Sequence, residues 1–401
     1  MTLLSIDRAN ATTPPWSDVV DAVSNSLAET AATRDEVGGT AINERNLLRS
    51  SGLLSLTVPA DLGGLSADWR STLDVVRRFA RVDSSIAHLF AFHHLLLATA
   101  RLFGQPAQWR PWLEQTVEHR WFWGNALNPL DRGTTATPGE PASGGGYVFT
   151  GRKTFCSGAA DSDRLLASAF DSNGRLLIAV VPTARKGISV IDDWDNMGQR
   201  QTDSGTVVFE NVEIERGELL LDPGPLSTPF ACLRPLLAQL ILANIYLGLG
   251  VGALHEAREF TLKSGRAWVA SPAPSVREDQ YVLAHYGDFW LALEGARLLA
   301  DRAADLFDEA WQRGTALTES ERGKVAIAVA AAKVSAARAG LDVANRMFEV
   351  TGPRATTARL RFDRYWRNLR VHTLHDPLDY KVRELGDWAL NERFPTPSFY
   401  S

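Results

Sequence analysis

The stretch RWFWGNAL, residues 120–127, marks the point at which the character of the chain changes. Before it, apolar residues recur every three or four positions, as in residues 16–37 and 84–104, and this spacing predicts helices. After it come short β-branched or aromatic runs separated by Gly, Asp, Asn and Ser, such as GGYVFTGRKTF (145–155) and SGTVVFENVEI (204–214), which predict strands. The sequence therefore predicts a helical domain followed by a strand-rich one.

Helical periodicity returns near residue 227, and long helices are predicted at 229–264, 276–312, 318–350 and from 382 onward. Short loops between long helices are typical of antiparallel neighbours in a bundle. A chain of 401 residues is long enough for three packed units. We therefore predict an α+β fold with an N-terminal helical domain at 1–120, a middle small β-barrel or sandwich at 121–225, and a C-terminal four-helix bundle at 226–401.

The composition is that of an ordinary globular protein, with 45% hydrophobic and 22% charged residues. The net charge of −5 gives no reason to expect nucleic acid or an anionic membrane as a partner. Cys156 and Cys232 lie far apart, and neither belongs to a CxxC pair. We therefore expect neither a disulfide framework nor a zinc site, which fits a reducing cytoplasm.

One apolar segment has the length of a membrane span. Residues 235–253, PLLAQLILANIYLGLGVGA, are uncharged and long enough to cross a bilayer. Gln239 and Asn244 interrupt the segment, and amphipathic helices follow it, so we predict a helix buried in the core instead. The N-terminus lacks the basic and apolar regions of a signal peptide, and we expect a cytoplasmic protein.

Four long motifs carry a family resemblance: SSIAHLFAFHH (84–94), WFWGNAL (121–127), DDWDNMGQRQTDSG (192–205) and RFDRYWRNLRVHTLHDPLDYK (361–381). They resemble, in the same order, motifs of the class D flavin-dependent monooxygenases of the acyl-CoA dehydrogenase fold, in the branch of dibenzothiophene monooxygenase. The similarity extends from about residue 15 to residue 401. It implies the three-domain acyl-CoA dehydrogenase fold.

The resemblance also implies a reaction. A separate NAD(P)H-dependent reductase supplies reduced FMN, which reacts with O2 to form a C4a-hydroperoxyflavin. One oxygen atom then passes to an apolar aromatic or organosulfur substrate, as in the S-oxidation of dibenzothiophene. Other members of the family oxidise small sulfones, indoles or amines, and the family assembles as a homotetramer, a dimer of dimers, through the C-terminal bundle.

The segment TFCSGAADSD, residues 154–163, suits a flavin ring. Phe155 can flank the isoalloxazine, and Ser157 can hydrogen-bond near N5. Ser157 also matches the family's flavin-contacting serine. On the residues alone, a turn serine that caps its own backbone is an equally good interpretation. Cys156, between the two, is expected to be a buried small hydrophobe.

Other candidates for the flavin site lie in two of the motifs. Asn125, in WGNAL, is a candidate for the flavin edge or for holding the peroxide. Trp194 can cover one face of the ring, although a core role is equally compatible with its position. Thr202 and Ser204 follow Trp194 and are polar candidates for cofactor binding.

Two histidines match positions in the family's active site. His93 lies on an apolar helix, and His94 points about 100° away from it, so only one of them faces a given pocket. His375 matches a histidine beside the reactive face of the flavin, where an imidazole can supply a proton near neutral pH. His372 and His375 have the i, i+3 spacing of metal ligands, but no third ligand joins them in a recognised pattern, so no metal is expected.

Two arginines, Arg266 and Arg354, match positions where the family contacts the FMN phosphate, and the second is expected from a neighbouring subunit. A surface arginine is the alternative interpretation of each. The run GLGVGALHE (248–256) follows a helix instead of a strand, so no nicotinamide site is expected.

Two rival functions stay open at this point. An acyl-CoA dehydrogenase needs a carboxylate base near the C-terminus, and Asp376, which is also a candidate cofactor contact, is the residue available there. A non-catalytic helical scaffold is the other alternative. The catalytic set proposed for a monooxygenase is His93, Asn125, Ser157 and His375.

Overall fold

The computed structural model describes residues 14–139 and 146–401, so the first 13 residues of the predicted N-terminal domain and residues 140–145 of the predicted middle domain lie outside it. Five helices form the N-terminal part: α1 Ser17–Val37, α2 Ile42–Ser51, α3 Trp69–Val82, α4 Ser84–Phe103 and α5 Pro106–His119. Asp83 caps α4, because its carboxylate accepts a hydrogen bond from the backbone N–H of Ile86. The helices predicted at 16–37 and 84–104 are therefore confirmed.

A curled sheet of seven strands follows: β1 Trp123–Ala126, β2 Thr134–Pro138, β3 Tyr147–Lys153, β4 Arg164–Phe170, β5 Leu176–Pro182, β6 Ile188–Ile191 and β7 Thr206–Ile214. The strand order is β1-β4-β2-β3-β7-β6, and β5 pairs with β4. β1 runs parallel to β4, with Asn125 opposite Leu166. Phe149 and Phe209 fill the core of the sheet.

The C-terminal part contains α6 Leu233–Ser264, α7 Gln280–Arg313, α8 Glu319–Thr351, α9 Asp363–His372 and α10 Leu378–Asn391. α6 and α8 end side by side, where the Thr261 hydroxyl donates to the Val350 carbonyl at 3.3 Å. Several details differ from the sequence prediction. α6 begins at 233 instead of 229, and α7 begins at 280 instead of 276. α9 was not predicted, and the last helix begins at 378 instead of 382, because Pro377 lies directly before its first residue and Asp379 occupies its first turn.

α4 and α6 form the centre of the molecule. Both are long and apolar enough to cross a membrane, but 94% of each apolar window is buried inside the structure. The segment 235–253 lies within α6, as the prediction of a buried core helix requires. The two helices thus form a buried layer that supports the sheet and the α9–α10 connection.

A close contact between β1 and the loop after β3 brings polar residues together. A side chain at Gly124 would meet the hydroxyl of Ser162 at 2.7 Å, so glycine allows this approach. The neighbouring Asn125 then donates its backbone N–H to the carbonyl of Ser157 at 3.0 Å. The polar side chains of β1 and of the loop after β3 therefore lie at one edge of the sheet, facing the helices.

Candidate functional site

A chain of hydroxyl groups lies at this edge of the sheet. The Ser157 hydroxyl is 2.7 Å from the Ser204 hydroxyl, and Ser204 donates to the Thr202 hydroxyl at 2.7 Å. Thr202 in turn donates to the carbonyl of Gln199 at 2.9 Å. The structure thus brings together four of the predicted site residues, since Asn125 bonds to the backbone of Ser157.

Two aromatic side chains lie beside this hydroxyl chain. The indole N–H of Trp194 donates to the same Gln199 carbonyl at 2.8 Å. The ring of Phe155 is 5.9 Å from that of Trp194, edge to face, and is 59% exposed. Phe155 also has a positive φ of 58°, which is uncommon for a bulky residue and turns its ring outward. An exposed aromatic edge beside a polar chain fits the bed that a flavin ring requires.

A second cluster surrounds Asp376, in the connection between α9 and α10. One carboxylate oxygen, Oδ1, accepts from Nζ of Lys333 at 2.5 Å and from the amide of Gln239 at 3.4 Å. Nδ1 of His375 lies 3.0 Å from the same oxygen. Lys333 also hydrogen-bonds the amide oxygen of Gln239. The loop that carries His375 is therefore tied to α6 and α8 through buried polar groups.

The pKa values of Lys333 and Asp376 in this cluster are strongly shifted. Burial lowers the pKa of Lys333 to about 8, although the adjacent carboxylate opposes the shift. Burial alone would raise the pKa of Asp376, but hydrogen bonds from His375 and Lys333 and the lysine charge outweigh it and hold that pKa below its ordinary value. Asp376 is consequently ionised at neutral pH and occupied by three donors.

His375 itself faces open space. Its side chain is 39% exposed, and its ring is 5.9 Å from the ring of Tyr400. Both rings line a cavity of about 940 Å³ that also reaches Leu130 and Asp376. Because Nδ1 donates to Asp376, Nε2 of His375 is the nitrogen directed away from the protein anchor.

His88, a histidine that sequence reasoning did not select, lies beside the end of α9. Nδ1 of His88, on α4, is 2.9 Å from Nε2 of His372, and its ring stacks on Phe92 at 3.9 Å. Burial lowers the pKa of His88 to about 3 and that of His372 well below its ordinary value, so both are neutral at pH 7. Ser85, His88 and Phe92 are between 5% and 8% exposed, whereas the neighbouring Leu89 is 1% exposed. The face of α4 that carries these residues meets α9 at the contact between His88 and His372.

The predicted catalytic role of His93 does not fit the geometry. Nε2 of His93 donates to the Leu54 carbonyl at 2.8 Å, and Nδ1 accepts from the backbone N–H of Trp123 at 3.2 Å. The ring is fully buried, and burial lowers its pKa to about 4. His93 thus has no nitrogen left for a ligand. His93 instead contacts the backbone of β1 at Trp123, two residues before Asn125.

Within one chain, the two arginines predicted to bind the FMN phosphate lie far from the cluster around Asp376. Arg266 and Arg354 are exposed and follow the adjacent ends of α6 and α8. About 37 Å of helix separates Gln239 from the end of α6. The contacts of Arg266 and Arg354 with the FMN phosphate stay predictions.

The remaining candidate sites are simpler. Cys156 is buried, and burial raises the pKa of its thiol to about 12, so it is a small core side chain. Within residues 14–139 and 146–401, no group of three or more His, Cys, Asp or Glu side chains is arranged to hold a metal ion. His372 and His375 diverge, since one faces His88 and the other Asp376.

Lys333 was also missed by sequence reasoning, although the sequence contains a signal for it. It is the single charged residue in the run VAIAVAAAKVSAA, residues 325–337, on a helix face that is otherwise apolar. A lysine in such a run indicates a buried partner. The identity of that partner, 43 positions later, comes only from the fold.

Three family models match the chain. The N-terminal domain of acyl-CoA dehydrogenase matches residues 17–120, the middle domain residues 131–212 and the C-terminal domain residues 240–380. Together they extend over most of the chain. Their order agrees with the helical, sheet and helical parts described above.

Relatives of known sequence and structure extend over nearly the full chain. A probable FMNH2-dependent monooxygenase, SfnC of Pseudomonas putida, is 58% identical over 398 residues, 98% of this chain and 100% of its own. The structure of methanesulfinate monooxygenase MsuC from Pseudomonas fluorescens is similar with a TM-score of 0.94 and 58% identity, covering 97% of this chain and 100% of that one. FMN-bound TdsC from Paenibacillus sp. A11-2 has a TM-score of 0.91 and 40% identity, covering 96% and 99%.

Proposed function

The chain belongs to the acyl-CoA dehydrogenase family, in the branch of FMNH2-dependent monooxygenases, and from that premise we propose that it oxygenates the sulfur atom of a small organosulfur compound. It is an oxidoreductase that uses reduced FMN and O2. The proposal concerns three finer points: the residues that hold the flavin, the oxygenating species and the substrate.

The residues present fit a flavin. Phe155 and Trp194 offer an aromatic edge, and the Ser157–Ser204–Thr202 chain offers hydroxyls beside it. His375 presents a further ring, whose orientation is set by Asp376, at the cavity that Tyr400 and Leu130 also line. The pyrimidine edge and N5 of the ring require such polar partners, and its faces require apolar ones.

The observation that carries the proposal is the state of Asp376. A dehydrogenase of the acyl-CoA type needs a free carboxylate with a pKa suited to removing a carbon-bound proton. Asp376 is instead held by Lys333, Gln239 and His375, and its pKa is depressed. This carboxylate is a poor base and a good anchor, which favours the monooxygenase over the dehydrogenase.

In this proposal the oxygenating species is a flavin C4a-hydroperoxide, and the protein's task is to keep it from decaying. Ser157 holds the proton near N5 by a hydrogen bond and is itself oriented by Ser204. His375 holds or delivers a proton at Nε2, since Nδ1 is bound to Asp376. Phe92 and the buried, neutral His88–His372 pair limit the access of water to the cleft.

The preferred substrate in this proposal is small. The sequence analysis favoured an apolar aromatic compound of the dibenzothiophene type, and relatives at 42–43% identity are dibenzothiophene monooxygenases. The relative with a methanesulfinate monooxygenase structure is 58% identical. We therefore place small sulfur oxyanions before tricyclic thiophenes, and we keep small sulfones and indoles as the next candidates.

The proposal includes partners. A separate NAD(P)H-dependent reductase supplies FMNH2, so both proteins belong in the cytoplasm. A homotetramer, a dimer of dimers, would bring Arg266 and Arg354 of a second copy to the flavin phosphate. The outer face of α7 supports such contacts, because Tyr281, Leu291 and Leu298 are each more than half exposed.

A direct test supplies FMN, NADH and a generic flavin reductase together with methanesulfinate, dimethyl sulfone, dibenzothiophene and indole. Mass spectrometry then measures incorporation of one labelled oxygen atom from O2. A parallel assay offers acyl-CoA thioesters with an electron-accepting dye and no reductase. We expect labelled product in the first assay and no dye reduction in the second; dye reduction by a thioester would support the dehydrogenase instead.

A further inference from the structure

Arg234, the second residue of α6, is a buried cation without a counter-ion in the part of the chain that the structure describes. Four arginines are buried within the described parts of the chain: Arg45, Arg234, Arg322 and Arg364. Arg45 pairs with Asp203 at 2.6 Å, and Arg364 is 3.9 Å from Glu256. No acidic side chain pairs with Arg234 in the described chain. Arg234 donates from Nε to the Thr99 hydroxyl at 3.4 Å, which uses one of its five N–H donors.

Arg322, the other buried arginine without an acid, has a structural use. Its guanidinium donates to the carbonyl of Pro395 at 3.1 Å and fastens the segment after α10 to α8. Arg234 has no such backbone acceptor in the described residues. Burial lowers the pKa of Arg234 to about 10, so it stays charged at neutral pH. A buried charge that stays unpaired is costly, which indicates that an anion completes the site.

The position of Arg234 on α6 indicates where that anion binds. Arg234 and Ala238 are 6% and 7% exposed, whereas Leu233, Leu237 and Ile241 are at most 1% exposed. The two slightly more exposed residues are four positions apart and therefore share one face of the helix. The same pattern on α4 marks the face of Ser85, His88 and Phe92. The hydrogen bond between Arg234 and Thr99 joins these faces of α6 and α4.

Two neighbours connect Arg234 to the surroundings of His88 and His375. Thr99, its hydrogen-bond partner, lies on the same face of α4 as Phe92 and His88, seven and eleven positions away. Tyr400 interacts electrostatically with Arg234, and its ring lies 5.9 Å from the ring of His375. Arg234 and His375 thus share Tyr400 as a neighbour.

We propose that Arg234 binds the oxyanion of the substrate and selects sulfinates over neutral sulfur compounds, an inference that rests on the proposed function. A sulfinate carries two oxygens on sulfur, and a planar guanidinium binds two such oxygens side by side. The sulfur lone pair and the alkyl group are then left to face the flavin. Phe92 and Ala238 supply an apolar wall for a short alkyl group.

The reaction at the bound sulfinate balances with the reactants already named. RSO2⁻, O2 and FMNH2 give RSO3⁻, FMN and water. One oxygen atom forms a new S–O bond and oxidises sulfur by two electrons, while the O–O bond breaks. The other oxygen leaves as water with the two hydrogens and two electrons that the reduced flavin supplies. Arg234 takes no part in this transfer and stays protonated throughout.

The test compares wild type with Arg234→Met, Arg234→Lys and the control Arg101→Met. Arg101 is also a largely buried cation, but it lies against the rings of Trp109 and Trp311 at the opposite side of α4 from the cleft. Calorimetry measures binding of methanesulfonate, an unreactive product, and steady-state assays measure KM and kcat with methanesulfinate. Binding of FMN and the midpoint of urea unfolding are measured for each variant.

We expect Arg234→Met to weaken methanesulfonate binding and to raise KM for methanesulfinate by about tenfold or more, with FMN binding unchanged. Arg234→Lys should recover part of the loss, and Arg101→Met should bind methanesulfonate like wild type. Equal methanesulfonate binding by wild type and Arg234→Met would overturn the role of Arg234. If wild type binds methanesulfonate through Arg234 but oxygenates nothing, the proposed function fails while the anion site stands.

Discussion

Nζ of Lys333 lies 2.5 Å from Oδ1 of Asp376, and both groups are almost completely buried. This ion pair joins α8 to the connection between α9 and α10, which carries His375. It engages the carboxylate of Asp376 and anchors the loop that carries His375.

Loss of one partner of this pair should destabilise the protein strongly. Lys333→Met leaves an unpaired carboxylate in the core, and we expect a loss of about 3–5 kcal/mol in the free energy of unfolding. The double variant Lys333→Met/Asp376→Asn should recover part of that loss, because no charge then stays buried. Urea unfolding of the single and double variants measures the coupling energy. Additive losses would show that the two groups do not act as a pair.

Ser157 should control how much reduced flavin is wasted. Ser157→Ala removes the hydroxyl that Ser204 orients, and we expect about a fivefold rise in the ratio of H2O2 to oxygenated product. Ser168→Ala is a matched control, since Ser168 is a buried serine of β4 whose hydroxyl has no hydrogen-bond partner among residues 14–139 and 146–401. Both ratios are measured with the same reductase and substrate. A ratio for Ser157→Ala equal to that of the control would remove Ser157 from the flavin site.

The two histidines that match the family's active site should behave differently. His375→Gln removes the ring that faces the cavity and should lower kcat by about a hundredfold with little change in unfolding midpoint. His93→Gln loses its bonds to Leu54 and Trp123 and should mainly lower stability. Measuring kcat and the urea midpoint for both variants separates the roles. A stable His93→Gln protein with a hundredfold lower kcat would restore His93 as a catalytic residue.

Acidification should destabilise the protein through its buried histidines. His88, His93, His94 and His372 have folded-state pKa values far below the unfolded value of about 6.5, because burial disfavours the charged ring. The unfolded chain therefore binds more protons below that value, and stability falls as pH falls. Between pH 7 and pH 5.5 each such histidine should cost about 1 kcal/mol.

His94 offers the cleanest check of this pH dependence, because it lies outside the candidate site and bonds to Thr57 and the Leu53 carbonyl. The quantity to compare is the difference in unfolding free energy between pH 7 and pH 5.5. His94→Gln should reduce that difference by about 1 kcal/mol relative to wild type, whatever its own stability. An unchanged difference would mean that His94 titrates normally in the folded protein.

Much of the fold followed from local pattern. The change of periodicity at residues 120–127 separated helix from strand, and the apolar run at 235–253 was placed in the core. The boundaries that were missed lie at the starts of α6 and α7 and around α9 and α10. α9 has ten residues and α10 has 14, and packing decides the limits of such short helices. Local sequence carries little information about such helices.

In the candidate site, too, some residues could be predicted from local sequence and others could be identified only from the fold. Ser157, Thr202 and Ser204 lie in motifs close in sequence to the strands that position them, and the structure brings them together. His88 and His93 lie on one apolar helix, and periodicity alone does not say which side meets the cleft. Lys333 and Arg234 acquire meaning only from neighbours more than 40 positions away. Such long-range partners are products of the fold.

The most direct test of the central claim is a single turnover without reductase. The protein is loaded with FMNH2 under anaerobic conditions and mixed with methanesulfinate and isotopically labelled O2. The account predicts one labelled oxygen in methanesulfonate for each bound FMNH2 consumed, with little H2O2. Oxidation of the bound FMNH2 that yields H2O2 and leaves every tested sulfur compound unlabelled would contradict it.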